Sequence, residues 1–251
     1  MINELEFILK TAQSLIRQRK LAPAETLLLD KYKKWGNHPL INLALGEIFF
    51  LKDNFTTSLQ YLKIAYENGK NIPSVVVYYA EKLRLNDETI RAKEVLQIAI
   101  LNRPCDKGLL ESYANFCLTD QNPLESLKFN LRILLLFPND STGHTNIAEA
   151  YAALDNYEKS LEHQNIAIKY DTGSQVKLNR AITLLTLNQY QEGWAEYENR
   201  LGDDIISSPR RRLSVPRWNR QPLQNKTILV CSEQGVGDEL YFSSYLPRLI
   251  E

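Results

Sequence analysis

STGHTNIAEAYAALDNYEKSLEHQNIAIKYDT, residues 141–172, decides how the whole chain is read, because its pattern recurs at a spacing of 34 or 33 residues. Within it Ile147, Ala148 and Tyr151 mark one helix face, Asp155 and Asn156 a turn, and Ser160, Gln164 and Ala167 the facing positions of a second helix. One period upstream, Tyr113, Ala114, Cys117, Ser126 and Ile133 fall on the same marks. A second step reaches Tyr79, Ala80, Leu83, Ala92, Leu96 and Ala99, and a third reaches Leu45, Gly46, Phe49, Ser58, Leu62 and Ala65. Small residues return where two helices approach closely, and bulky ones where they interlock.

Two other residue classes keep the same period. Asp53, Asp87, Asp155 and Asn188 stand at the turns, with Asp120 and Gln121 filling the gap. Asx residues there are expected to cap the second helix and to tolerate the turn backbone. Pro39 and Pro73 stand where first helices begin, and Pro104 and Pro138 just after second helices end. The pattern resembles the tetratricopeptide repeat (TPR), a helix-turn-helix of 34 residues. The expected fold is therefore all-α: a right-handed TPR solenoid of about six repeats over residues 1–201, then a linker over 202–226 and a short β-α segment over 227–251.

Leu5, Ile8, Leu9, Ala12, Leu15 and Ile16 open the first repeat as an amphipathic helix. Its second helix is expected from about Pro23 to Trp35, with Gly36 as the stop. Later repeats should begin near Pro39, Pro73, Lys107, Ser141 and Ser174.

Bulk properties narrow the function. Lys and Arg total 30, as do Asp and Glu, so no global field attracts nucleic acid or an anionic membrane. The first twenty residues carry Glu4 and Glu6 and no signal-like apolar run, and no stretch approaches a membrane span. A cytoplasmic location is expected. Cys105, Cys117 and Cys231 lack metal-ligand spacing and read as small buried hydrophobes. His38, His144 and His163 fall in different repeats, so no metal set is expected.

In TPR arrays the first helix of each pair lines a concave groove. Fifth positions along the repeats are Leu43, Val77, Glu111, Thr145 and Leu178, none basic, which argues against the clamp for a chaperone's C-terminal carboxylate found in one TPR subclass. Asn146 and Asn179 share the sixth position, Asn115 lies near it, and Glu149 follows Asn146 by one turn. An amide there can donate to and accept from a peptide backbone. The arrangement resembles the asparagine ladder in the TPR arm of O-linked N-acetylglucosamine transferases; asparagines that bond only within their repeat are the plainer reading. The expected groove residues are thus Asn115, Asn146, Asn179, Glu111 and Glu149, with a protein or peptide as the partner.

The end of the chain is more particular. Gly193-Trp194-Ala195-Glu196-Tyr197-Glu198-Asn199-Arg200 places Trp194 and Tyr197 on one face that would close the array. Arg217-Trp218-Asn219 follows, then a strand-like run at Thr227 to Cys231, then Ser232-Glu233-Gln234-Gly235-Val236-Gly237-Asp238 and a helical pattern in Leu240, Tyr241, Tyr245 and Leu249. Strand, glycine turn and helix would open a Rossmann-like half-domain, with Gly235 and Gly237 in the turn and Asp238 as helix N-cap. Together these phrases resemble the junction in bacterial proteins that carry a TPR array ahead of a GT-B glycosyltransferase domain. That resemblance implies Asp238 as a general base on an acceptor hydroxyl, and a nucleotide sugar as donor for a full-length relative. Leu240 stands where a dinucleotide fingerprint needs its third glycine, and Pro247 departs from the related heptosyltransferase pattern.

One strand cannot form a stable sheet, so no cofactor is expected in this chain alone and any enzymatic role is expected of an assembly or a longer parent. The basic run Pro209-Arg210-Arg211-Arg212, with Arg217 and Arg220, reads as a solvated linker or a phosphate contact. Three functions follow as expectations: a peptide-binding scaffold that recruits substrate for a glycosyltransferase, a glycosyltransferase subunit, or an adaptor that self-associates through its C-terminal strand.

Overall fold

The computed structural model describes residues 4–202, 215–219, 221–231, 240 and 243–247. Among them regular structure is helical throughout. Packing divides the chain into two units, Met1–Asn156 and Tyr157–Glu251. The first holds α1 (Glu4–Arg17), α2 (Leu21–Asp30), α3 (Tyr32–Trp35), α4 (Pro39–Leu51), α5 (Phe55–Asn68), α6 (Pro73–Leu85), α7 (Thr89–Asn102), α8 (Lys107–Thr119), α9 (Pro123–Leu136) and α10 (Ser141–Ala152). The second holds α11 (Tyr157–Tyr170), α12 (Ser174–Thr186), α13 (Tyr190–Tyr197) and a 3₁₀ turn, Glu198–Leu201. Five of the six expected repeat starts coincide with the first residue of a helix, at Pro39, Pro73, Lys107, Ser141 and Ser174.

Side-chain caps fix some of the helix starts, though not those at Pro73 and Ser174. Asp106 accepts from the Leu109 N–H at 3.1 Å and Asp140 from the Gly143 N–H at 3.1 Å, at the heads of α8 and α10. Asn54 and Asn122 do the same for α5 and α9, each at 3.2 Å. Each such cap contributes about 1 kcal/mol.

The ends follow one design six times over. Arg19, Asp53, Asp87, Gln121, Asp155 and Asn188 all have φ between 55° and 62°, the left-handed region. At each, two backbone bonds close the preceding helix: Gln121 N–H donates to Leu118 O at 3.2 Å, and Asn122 N–H to Cys117 O at 2.8 Å. Asp53 and Asn54 bond Phe50 O and Phe49 O in the same way. This is the Schellman closure, and the left-handed residue reverses the chain. The expected Asx cap is therefore shifted by one residue. Asp53, Asp87, Asp155 and Asn188 turn the chain, the following residue supplies the side-chain cap at Asn54 and Asn122, and of the pair at the gap Gln121 makes the turn.

Each helix is only a few turns long and marginal alone in water, so packing must hold it. In the first unit small residues line the first helices at Ala12, Gly46, Ala80, Ala114 and Ala148, and the second helices at Ala24, Ser58, Ala92 and Ser126; all are buried. Close approach is needed: a Cβ on Gly46 would stand 2.6 Å from Leu62 Cγ and Cδ2. Ser58 Oγ donates to Gly46 O at 2.7 Å across that contact. One core gathers Ile8, Ile16, Leu28, Ile41, Leu45 and Ile48, the next Leu62, Tyr79, Leu83, Leu96, Tyr113 and Ile133. Fully burying each such aliphatic side chain contributes about 1.5–3 kcal/mol. Successive first helices also touch, α4 on α6, α6 on α8 and α8 on α10.

In the second unit Arg180 of α12 is the fastener. Its guanidinium donates to Glu192 Oε1 at 2.8 Å, to Glu196 Oε2 at 2.8 Å and to Asn165 Oδ1 at 2.8 Å, tying α13 and α11 to α12. Gly193 packs on Leu185, whose Cδ2 would lie 2.8 Å from an added Cβ. Trp194 and Tyr197 meet edge to face at 5.5 Å, as their spacing predicts.

Several expectations are corrected. The second helix of the first hairpin begins at Leu21 and breaks at Lys31. Gly36 is right-handed, with φ −58°, so it does not end the helix by a left-handed turn. Cys117 is buried, but Cys105 is exposed in the loop after α7. Residues 227–231 are not a strand. Leu229 and Val230 are mostly exposed, and no strand among the described residues pairs with them; an isolated strand leaves its backbone groups unbonded. The Rossmann-like β-α unit is therefore not supported. Gly235, Gly237 and Asp238 lie outside the described residues, as do 209–212 and Arg220.

Candidate peptide-binding face

The first helices of the first unit present positions that their partner helices leave uncovered. On α8, Glu111 is half-buried and pairs with Lys107 at 3.4 Å, while Lys107 reaches Asp140 at 2.8 Å. Lys107 thereby spans adjacent hairpins and neutralises both carboxylates. Asn115, one turn on, is exposed.

On α10, Asn146 is 9% exposed, and its Nδ2 is buried without a hydrogen-bond partner. An amide left so costs about 1–3 kcal/mol, which makes it the least satisfied predicted site residue. Glu149 is open to solvent yet crowded by protein, and that desolvation raises its carboxyl pKa. Asn179 lies in the second unit on α12. Its Oδ1 accepts from Gln175 Nε2 at 2.9 Å and its carbonyl from Gln164 Nε2 at 3.3 Å. Asn179 is thus bonded within its own unit, and Asn146 is not satisfied in its own.

Further functional groups were not singled out from the sequence. A cleft of about 220 Å³ opens between α6 and α8, floored by Val77, Leu96 and Phe116 and rimmed by Arg84, Ser112 and Asn115. Asn115, nine along its repeat, is one of the expected groove residues, whereas Arg84, twelve along, is a position to which the repeat register alone could have led. Toward α4, Lys82 is 93% buried as a side chain and donates to Glu81 Oε1 at 3.1 Å. Its ammonium sits 3.7 Å from the Phe50 ring centroid and 4.7 Å from that of Tyr78, a cation-π box that compensates burial of the charge. Glu47 lies nearby: burial raises its carboxyl pKa, against the opposing pull of Lys82 and Arg17. A larger depression, about 810 Å³, rests on one helix start, Asn188 to Glu192 with Ala195, and carries no converging groups.

Among the described residues no cluster of His, Cys, Asp or Glu could hold a metal, and no described helix is long and apolar enough to cross a membrane.

No family model matches the chain. In sequence it is 30% identical over 171 residues to Protein FlbA of Caulobacter vibrioides, matching 66% of this chain and 28% of that protein. It is 25% identical over 181 residues to the TPR repeat-containing protein YpiA of Bacillus subtilis, 71% of this chain and 41% of that one. The chain thus spans less than half the length of either relative. Among solved structures it superposes on a tetratricopeptide repeat protein of Parabacteroides merdae with TM-score 0.65, 16% identity and 78% of each chain covered. It also superposes on YrrB, a TPR protein with an unusual peptide-binding site, with TM-score 0.53, 15% identity and 72% and 90% covered. Likeness at this identity is likeness of fold, and the fold of this chain is the TPR fold.

Proposed function

We propose that this TPR array is a protein-binding scaffold that holds an extended peptide segment along its first-helix face. The observation that carries the reading is Asn146. A buried amide with an unspent donor beside that face gains a hydrogen bond once a side-chain rotation brings its Nδ2 out to a peptide carbonyl, whatever the side chains beside it. YrrB, of the same fold, has a peptide-binding site by its own description, and TPR stacks generally use their long surface for partners.

A phage library of random dodecapeptides, selected on the whole chain, tests this. Enriched peptides should bind the Asn146→Ala variant about 3- to 10-fold more weakly, the worth of one hydrogen bond. Peptides that bind both proteins equally, or a library that enriches nothing, would refute it.

The finer reading makes the scaffold the recruiting arm of a larger, glycosyltransferase-like protein. It is supported by the phrase Gly193 to Arg200, which resembles the junction ahead of a glycosyltransferase domain. In that reading the nucleotide sugar binds the longer parent and not this array. Calorimetry with UDP should give no heat with this chain and a saturable signal with the parent; a saturable signal with this chain, or none with the parent, would overturn the assignment. Self-association through the C-terminal segment is a separate proposal. Sizing the chain with and without residues 227–251 tests it, since identical monomeric profiles exclude it.

A further inference from the structure

The cleft between α6 and α8 is a subsite of definite chemistry. Its volume, about 220 Å³, is below that of sites for whole cofactors or drug-sized ligands and suits a single side chain. The hydrogen-bonding groups at its rim are not equivalent. Ser112 Oγ donates to Gly108 O at 2.7 Å and Thr119 Oγ1 to Phe116 O at 2.9 Å, so both hydroxyl protons are spent on their own helix. Glu81 is held by Lys82 at 3.1 Å, which offsets its charge. That leaves Arg84 and Asn115. Arg84 is half-buried, and among the described residues it pairs with no carboxylate within 4.0 Å and neither it nor the Asn115 amide has a hydrogen-bond partner. A guanidinium fork beside an amide donor, above an apolar floor, matches the two oxygens of a carboxylate and the methylenes that carry it.

We propose that the α6–α8 cleft receives an Asp or Glu side chain of the bound peptide, with Arg84 as its cation and Asn115 as a second donor. The inference rests on the peptide-binding reading above. An internal side chain rather than a chain terminus is the committed occupant: the cleft lies midway along the first unit, and α4 and α10 continue the first-helix face on either side of it.

Fluorescence anisotropy with three labelled dodecapeptides, N-acetylated and C-amidated, tests it on the full chain. Each alternates Ser with Glu, Gln or Lys. The Glu peptide should bind about tenfold tighter than the Gln peptide, the worth of a charge-assisted pair, and the Lys peptide weakest. Arg84→Gln should bring the Glu and Gln peptides within about twofold of each other while leaving the Gln peptide near its original affinity. Arg84→Lys should keep part of the preference, which separates loss of charge from loss of fold; circular dichroism verifies the helices.

If the Lys peptide binds as well as the Glu peptide, or the preference survives Arg84→Gln, the inference fails while the scaffold reading stands on the Gln peptide. If a Gln peptide with a free C-terminal carboxylate gains the same Arg84-dependent tenfold, the internal assignment fails. If no peptide binds, the scaffold reading fails and takes the inference with it.

Discussion

The six left-handed turn residues form a graded experiment. Gln121 holds φ 55° and Arg19 φ 59°, without the short polar side chain that eases Asp or Asn into that region. A left-handed non-glycine residue costs about 1–2 kcal/mol. Glycine removes that cost but adds about 0.5–1 kcal/mol of backbone entropy to the unfolded chain. The net for Gln121→Gly is therefore a stabilisation of about 0.5–1 kcal/mol, or roughly 1–4 °C in a chain of this size. Asp53, Asp87, Asp155 and Asn188 start from a smaller strain, so their glycine variants should fall near zero. Gln121→Val places a β-branched residue at the same φ and should destabilise by about 1 kcal/mol or more. Thermal melts followed at 222 nm, with urea titration as a cross-check, read all of these. Should Gln121→Gly melt below the parent, or the Asp variants gain as much as Gln121, the Schellman turns are not where the strain lies.

Two more perturbations test other joints. Burial holds the Glu47 carboxyl above its ordinary pKa. The folded state thus prefers it protonated, and the stabilisation it gives is present below the unfolded value, near pH 4.3, and lost as pH rises through the folded value. Glu47→Gln should raise the melting temperature at pH 7.5 and leave it unchanged near pH 4; an effect of equal size at both would show that charge is not the cause. Arg180→Met removes the pairs to Glu192 and Glu196 and the bond to Asn165. Amide exchange of residues 174–197 should quicken by about 5- to 30-fold, for a loss of about 1–2 kcal/mol. Residues 4–136 should stay as they were, and a uniform change across the chain would deny Arg180 its role.

Periodicity made the fold legible because each repeat solves the same problem. Gly46, Ala80, Ala114 and Ala148 must be small for helices to close, and that demand is written at a fixed spacing in any sequence that meets it. The turns were legible in the same way, although at the gap the sequence offered both Asp120 and Gln121: chain reversal requires a left-handed residue at a set distance from the helix end, and that position belongs to Gln121. Thr227 to Cys231 misled because an apolar, β-branched run describes only a side-chain pattern, whereas a strand also needs a neighbour, which a local pattern cannot supply.

The site was less legible than the fold, and the reason is hydrogen-bond accounting. Glu111 and Asn146 were both found on the first-helix face, yet the sequence cannot say that Lys107 neutralises Glu111 while nothing bonds Asn146 Nδ2. Nor can it say that Ser112 and Thr119 spend their protons on their own helix, which is what leaves Arg84 and Asn115 as the donors of the cleft. Repeat proteins separate these two kinds of information. Residues that pack must recur, so they announce themselves by period; a residue that meets a ligand departs from the repeat at one place only. Arg84 illustrates this, since the equivalent positions on the neighbouring first helices hold Phe50 and Leu118. On a scaffold of this kind the informative positions for function are the uncovered ones where the register is broken by a polar group that its own unit leaves unbonded.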